Sequence, residues 1–176
     1  MSGKERKPRM QQPVFVIPEA MPALQAFSRA AESSGAPPST IALVTLRAGQ
    51  INGCGVCVDM HTRMMRQAGE TEERIAGVAA WRDMPYFTDA ERAGLALAEA
   101  VTRIADSPDP VPDAVWEEAR HHYDERSLAG LLIAIGAINV WNRLNVATRQ
   151  VAGVWKPESS EGKVPAAAPL RASTAH

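Results

Sequence analysis

The two cysteines of the chain and one of its four histidines stand within eight positions of one another, as Cys54, Cys57 and His61. Residues three and four positions apart lie on the same face of a helix. A helix that begins near Cys54 would therefore place both thiols and the imidazole side by side. Unpaired N–H groups and the positive end of the helix dipole favour thiolate over thiol at such a position. The spacing predicts a reactive dithiol with a base beside it.

Such a set of groups is suited to reaction with a peroxide. The thiolate attacks, the departing oxygen needs a proton, and a second thiol captures the sulfenic acid as a disulfide. Two alternatives stay open. The cysteines could be core residues, since free cysteine is often buried, or the three residues could hold zinc with water as the fourth ligand. Because no second Cys or His cluster lies nearby in sequence, we expect no metal and no cofactor.

The segments around this motif have helical character. Asn52-Gly53 interrupts the pattern just before Cys54, and helix-forming residues continue to Ala68, so a helix is expected to begin at or just before Cys54. Elsewhere, apolar residues recur at helical spacing, and Val14 to Ile17 is the one stretch that alternates over a strand length. We predict an all-α, single-domain bundle of about seven helices over residues 13–155, with a flexible arm at 1–12 and a disordered tail at 156–176.

Composition narrows the possible partners and the compartment. The net charge is −1 and the basic residues are scattered, which argues against a nucleic-acid surface. The polar N-terminus does not resemble a signal peptide, and the apolar run Leu128 to Ile138 is shorter than the roughly 20 residues of a membrane span. We expect a cytoplasmic protein with no nucleic-acid or membrane partner. In that reducing compartment a close cysteine pair is typically redox-active or metal-binding.

Other polar residues are weaker candidates. The pair His121-His122 stands on a charged helix and is expected to be exposed. Asn139, Asn142 and Arg143 stand at i, i+3 and i+4, which gives the apolar last helix a polar stripe. We expect this stripe to be a buried hydrogen-bonded network or a subunit contact, with a role at the substrate as the alternative.

The run from Leu43 to His61, LVTLRAGQINGCGVCVDMH, resembles the signature of the carboxymuconolactone decarboxylase family in its alkyl hydroperoxidase D-like branch. The segments AAWR at 79–82, ERAGLALAEA at 91–100 and INVWNR at 138–143 are similar to that branch as well. The resemblance covers residues 14 to 155. It implies an all-helical fold that assembles into homo-oligomers, often trimers or hexamers, and an antioxidant peroxidase activity of the peroxiredoxin type.

The resemblance also implies roles for the motif residues. In such members the second cysteine attacks the peroxide, the first resolves and then exchanges with a reductant, and the histidine belongs to a proton relay. By position these roles fall on Cys57, Cys54 and His61. The implied partners are a hydroperoxide substrate and a dithiol or thioredoxin-like reductant, and the first cysteine should be the more exposed. The helix dipole alone leaves the order open, because it would activate Cys54 at least as strongly.

Two positions depart from the family pattern. The relay glutamate expected twelve residues before the first cysteine is Ala42 here, and the histidine or tyrosine before the second is Val56. Without an orienting carboxylate, His61 is expected to be a weaker acid/base partner. This favours a second hypothesis, a non-peroxidatic redox sensor or scaffold. Glu99 could replace the glutamate from another helix, but solvent exposure is the simplest expectation for it. Decarboxylation, which names the wider family, is the least expected activity.

Overall fold

The computed structural model describes residues 6–153, and within them the chain forms eight α-helices, two 3-10 turns and no strand. The all-α prediction is therefore confirmed. The stretch from Val14 to Ile17, which alternates over a strand length, forms a short helix that begins at Pro13, with Ile17 as its C-cap, and not a strand. The helices are α1 Pro13–Val16, α2 Ala20–Glu32, α3 Pro38–Ile51, α4 Gly55–Gln67, α5 Glu72–Gly77, α6 Asp89–Thr102, α7 Asp113–His122 and α8 Glu125–Thr148.

Side-chain caps mark the starts of α4, α5, α6 and α8. At α6, Thr88 and Glu91 form a capping box, a pattern of threonine followed three residues later by glutamate. At α8, the Asp124 carboxylate accepts a hydrogen bond from the Ser127 N–H at 2.7 Å. This helix ends at Thr148, where the next residue adopts a left-handed conformation. Local sequence thus determines where each of these helices begins.

Helix α3 lies at the centre of the bundle, packed against both α6 and α8, while α2 packs along α8. Two glycines allow the close crossings. A Cβ at Gly94 on α6 would lie 2.8 Å from the Thr40 Cγ2 of α3, and a Cβ at Gly130 on α8 would overlap the Ser34 side chain beyond α2. The helices approach this closely because these positions carry no side chain.

Helix α8, with 24 residues, is long and apolar enough to cross a membrane by length and composition. However, half of its most apolar window is buried inside the protein. Its buried positions include Leu131, Ile135 and Ile138, which face the other helices. Helix α8 is therefore a second core helix beside α3, and its Ile138 packs against Cys54 and Cys57.

The segment before α1 is attached to the C-terminal end of α8. The Arg9 N–H donates to the Thr148 carbonyl at 2.8 Å, and the Gln150 side-chain amide donates to the Met10 carbonyl at 3.0 Å. The end of the arm predicted at residues 1–12 is therefore held by hydrogen bonds. The first five residues of that arm and the tail predicted at 156–176 lie outside the described residues.

Candidate dithiol site

Cys54 and Cys57 are joined by a disulfide at the N-terminus of α4, with their Cα atoms 5.3 Å apart, a usual separation for this bond. Cys54 is the N-cap residue, and its Sγ accepts a hydrogen bond from the Cys57 N–H at 3.3 Å. The preceding turn passes through Gly53, whose φ of +64° favours glycine. The helix start predicted at or just before Cys54 is confirmed.

Both cysteines are buried, each only 1% exposed, and they pack against Ala48 of α3 and Ile138 of α8. The expectation that Cys54 is the more exposed of the two is wrong for the single chain. As the N-cap, Cys54 turns inward between α3 and α8. The cysteines are buried as core residues are, and they are also bonded to each other.

The segment that follows α8 passes beside the start of α4. The Gly153 N–H donates to the Asp59 Oδ2 at 3.1 Å. A Cβ at Gly55 would come within 4.0 Å of the Ala152 Cβ. Residues 149–153 therefore lie beside the first turn of α4.

His61 lies on α4, one helical turn after Cys57, and its Nδ1 is 3.5 Å from the Thr45 Oγ1 of α3. The Thr45 hydroxyl lies within 2.9 and 3.0 Å of the Ile41 and Ala42 carbonyl oxygens. A hydroxyl that donates its single proton to one of these carbonyls acts as an acceptor towards His61. That arrangement favours the tautomer with the proton on Nδ1 and the lone pair on Nε2.

The environment of His61 keeps its ring neutral. The residue as a whole is half-buried, but Nε2 is buried and has no hydrogen-bond partner among the described residues. Burial lowers the pKa of His61 to about 4. The sequence pattern did not single out Thr45. However, Thr45 lies three residues after Ala42 on the same helical face, and this spacing could have indicated it.

Glu99 is buried, with 7% of its surface exposed, so the expectation of solvent exposure is wrong. Arg47 and Arg82 each donate to its carboxylate at 2.7 Å and the Trp81 indole donates at 3.0 Å, while Arg103 lies 3.3 Å away. A carboxylate on this alanine-rich face is tolerated because it is paired with arginines.

Burial alone would raise the pKa of Glu99, but hydrogen bonds from Arg82, Trp81 and Arg47, together with the charge of Arg47, lower it to about 2. Both carboxylate oxygens are engaged with these partners. Among the described contacts, the group that orients His61 is Thr45, and Glu99 does not take the place of the relay glutamate.

The polar stripe on α8 is a hydrogen-bonded network, as predicted. The Asn52 amide donates to the Oδ1 atoms of Asn139 and Asn142 at 3.0 and 2.8 Å, and Arg143 donates to Asn139 Oδ1 at 2.9 Å. These bonds tie the turn before Cys54 to α8. An open depression of about 390 Å³ lies beside them, lined by Asn52, Asn142, Arg143, Val146 and Ala147.

A further residue of this stripe reaches the dithiol. The Asn145 Nδ2 lies 3.4 Å from the Cys57 Sγ, and the Asn145 Oδ1 accepts a hydrogen bond from the Gln12 Nε2 at 2.6 Å. The sequence pattern identified neither Asn145 nor Gln12. Asn145 continues the stripe three residues beyond Asn142, which is the one signal in the sequence.

The remaining candidates, His121 and His122, lie at the end of α7. His121 is exposed, as expected, and the His122 Nε2 lies 3.2 Å from Glu118 on its own helix. Within residues 6–153, no three His, Cys, Asp or Glu side chains form a group that could hold a metal ion.

Three comparisons with known proteins bear on this site and fold. The model of the carboxymuconolactone decarboxylase family matches residues 18–100. YdfG of Bacillus subtilis (strain 168), an uncharacterized protein, is 36% identical over 132 residues, which cover 75% of this chain and 88% of YdfG. A crystal structure of a protein of unknown function from Agrobacterium tumefaciens, a candidate AhpD antioxidant defence protein, is 39% identical. Its TM-score is 0.78, and the match covers 85% of this chain and 100% of that one.

A more distant structure shares the fold alone. The debrominase Bmp8 superposes with a TM-score of 0.70 at 16% identity, covering 80% of this chain and 75% of Bmp8. One fold can carry different chemistries, so the fold does not choose the substrate. The identity to YdfG over most of its length and the family match agree with the motif from Leu43 to His61. The chain belongs to the carboxymuconolactone decarboxylase family, in its alkyl hydroperoxidase D-like branch.

Proposed function

We propose that this protein is a thiol-dependent peroxidase that reduces hydroperoxides with the Cys54–Cys57 dithiol. The observation that carries the proposal is the disulfide at the N-terminus of α4, because this bond is the product that such a cycle forms. A hydrogen-bond donor already lies at each sulfur, the Cys57 N–H at Cys54 and the Asn145 amide at Cys57. Donors of this kind stabilise a thiolate.

The proposed cycle has three steps. The Cys57 thiolate attacks the peroxide, so that an S–O bond forms, the O–O bond breaks and the alkoxide leaves with a proton as ROH. The Cys54 thiol then attacks the sulfenic sulfur, which forms the disulfide and releases water. A dithiol or thioredoxin-like reductant returns two electrons and two protons by thiol–disulfide exchange. In sum, ROOH and two thiols give ROH, water and a disulfide.

In this cycle His61 is the acid/base group that transfers the proton. In the tautomer that the Thr45 hydroxyl favours, the buried Nε2 is the free base. A base with a pKa near 4 accepts a proton poorly at pH 7, and Thr45 provides no charge to raise that pKa. We therefore expect peroxide turnover that is real but slow.

This same weakness supports a second candidate function, a redox sensor or scaffold whose dithiol cycles slowly with cellular redox state. The observation that favours it is Ala42, which leaves His61 with an uncharged partner. The two functions differ in the rate at which peroxide oxidises the reduced dithiol. A rate no faster than that of an ordinary small thiol at the same pH favours the sensor.

The experiment uses the fully reduced protein mixed with hydrogen peroxide or tert-butyl hydroperoxide. We expect mass spectrometry to show loss of two hydrogens through a Cys54–Cys57 disulfide. In Cys54→Ser, the sulfenic acid should be trapped on Cys57 by dimedone. A Cys57→Ser variant that keeps full peroxide turnover would overturn the assignment of Cys57.

We also propose that the protein is a cytoplasmic homo-oligomer, a trimer or hexamer. Large apolar side chains on α1, at its C-cap and on α2 are exposed on the single chain, as is typical of surfaces that meet a partner; they are Phe15, Val16, Ile17 and Phe27. Light scattering after size-exclusion chromatography tests this, and a monomeric mass of 19.0 kDa would contradict it.

A further inference from the structure

The N-terminal segment is connected to the dithiol through two side-chain amides. Gln12 donates to the Asn145 Oδ1 at 2.6 Å, and the Asn145 Nδ2 lies 3.4 Å from the Cys57 Sγ. Asn145 is buried, with 7% of its surface exposed, and its two polar atoms meet these two partners. The three residues come from separate parts of the chain, namely the segment before α1, the end of α8 and the first turn of α4.

The direction of these bonds determines what Cys57 meets. Because Gln12 presents its NH₂ group to the Asn145 Oδ1, the Asn145 amide presents its own NH₂ group to the sulfur. If Asn145 were rotated, a carbonyl oxygen would face the sulfur instead. In the arrangement that the structure shows, Gln12 donates to Asn145 and Asn145 donates to the sulfur.

The disulfide sulfur at this place stands for the thiolate that reduction produces there. A thiolate accepts a hydrogen bond more strongly than a disulfide sulfur, and a donor to the charged form lowers a pKa. We propose that Asn145 binds the Cys57 thiolate and lowers its pKa, and that Gln12 is the positioning residue that holds the Asn145 amide in its donor orientation. The inference depends on the proposed function only in taking Cys57 as the attacking cysteine.

Other contacts hold the N-terminal segment in place without touching Asn145's side chain. The Arg9 N–H and guanidinium donate to the Thr148 and Ala147 carbonyls at 2.8 and 3.0 Å, and the Gln150 amide donates to the Met10 carbonyl. These bonds are separate from the contact between the Gln12 and Asn145 side chains. The two cysteines differ in their hydrogen-bond donors. The donor at Cys54 is the backbone N–H of Cys57, whereas the donor at Cys57 is a side chain that a substitution can remove.

The test measures the pKa of Cys57 in the reduced protein carrying Cys54→Ser, where Cys57 is the single thiol and serine remains a good N-cap. The rate of iodoacetamide alkylation is followed from pH 5 to 10. We expect Gln12→Leu and Asn145→Asp each to raise the pKa of Cys57 by about one unit, which reduces the thiolate fraction at low pH about tenfold. In Asn145→Asp, the carboxylate keeps an acceptor for Gln12 but repels the thiolate.

The matched control is Gln150→Ala, which removes a contact of the same segment but leaves the Gln12–Asn145–Cys57 contacts in place. Its Cys57 pKa should equal that of the parent. Unchanged pKa values in both Gln12→Leu and Asn145→Asp would overturn the inference, as would an equal rise in Gln150→Ala. Gln12 is partly exposed, so its variant should fold even if the variant at buried Asn145 does not.

Alkylation does not involve peroxide, so the outcomes separate the two proposals. A raised pKa in a protein that proves unable to turn over peroxide contradicts the proposed function and supports this inference. An unchanged pKa in an active peroxidase contradicts this inference alone.

Discussion

The hydroxyl of Thr45 lies 3.5 Å from the Nδ1 of His61, one turn along α3 from Ala42, the position at which the resemblance to the family implies a glutamate. A hydroxyl that already donates to a backbone carbonyl can fix the tautomer of an imidazole. It cannot stabilise the imidazolium as a carboxylate would. The His61–Thr45 pair is therefore an oriented but weak base.

Ala42→Glu should strengthen that base. A carboxylate at this position would raise the pKa of His61 and increase the rate of peroxide-dependent disulfide formation by about tenfold or more, since positioned acid/base groups contribute 10²–10⁴-fold. Stopped-flow tryptophan fluorescence on the reduced protein measures the rate. Ala42→Gln, of similar size but neutral, is the control. An equal gain in both variants would show that charge is not the cause.

His61 should make stability depend on pH. Its pKa in the folded protein, about 4, is below the ordinary 6.5, so the unfolded chain binds a proton more readily. Its contribution is complete above pH 6.5 and is lost as pH falls from 6.5 towards 4, by up to about 3 kcal/mol. Urea unfolding at several pH values should show a shallower acid slope for His61→Leu. An unchanged slope in His61→Leu would contradict the prediction.

Glu99→Gln should destabilise the fold by about 3 kcal/mol at pH 7, because it leaves Arg47 buried without its counter-charge. The lowered pKa of Glu99 stabilises the protein above pH 4.5, and this stabilisation is lost as pH falls from 4.5 towards 2. The difference in stability between the parent protein and Glu99→Gln should therefore shrink as the pH falls over this range. Glu117→Gln removes an exposed ion pair with Arg120 and should change stability by less than about 1 kcal/mol. Equal effects of the two substitutions, measured by denaturant unfolding, would argue against a buried network.

Gly130→Ala should separate α8 from the Ser34 loop. The new methyl group would overlap the Ser34 side chain, and overpacking of this kind costs about 1–3 kcal/mol. Gly136→Ala on the same helix is the matched control, because its nearest neighbour, Phe27, is 3.9 Å away. There the better helix propensity of alanine should stabilise the protein by up to about 1 kcal/mol. Thermal unfolding of both variants would reveal the opposite signs, and stabilisation of both would contradict the close crossing.

Features that depend on neighbouring residues could be predicted from the sequence. The start of α4 at Cys54 follows from Asn52-Gly53 and the helix formers after it, and the capping box of α6 follows from Thr88 and Glu91. The contacts of Thr45, Gln12 and Asn145 arise where distant helices cross, and residue periodicity does not specify which side chains meet there. For the same reason Glu99 was expected to be exposed, since its partners Arg47 and Arg82 lie on other elements.

The burial of Cys54 and Cys57 has a kinetic consequence. In the proposed cycle a protein reductant would have to reach a sulfur that is buried in the single chain, so the structure around the first turn of α4 would have to open before exchange begins. At high reductant concentration, regeneration would then reach a plateau equal to the opening rate. A small peroxide needs a much smaller opening. Access to the same two sulfurs would thus limit reduction by a protein more than oxidation by a small peroxide.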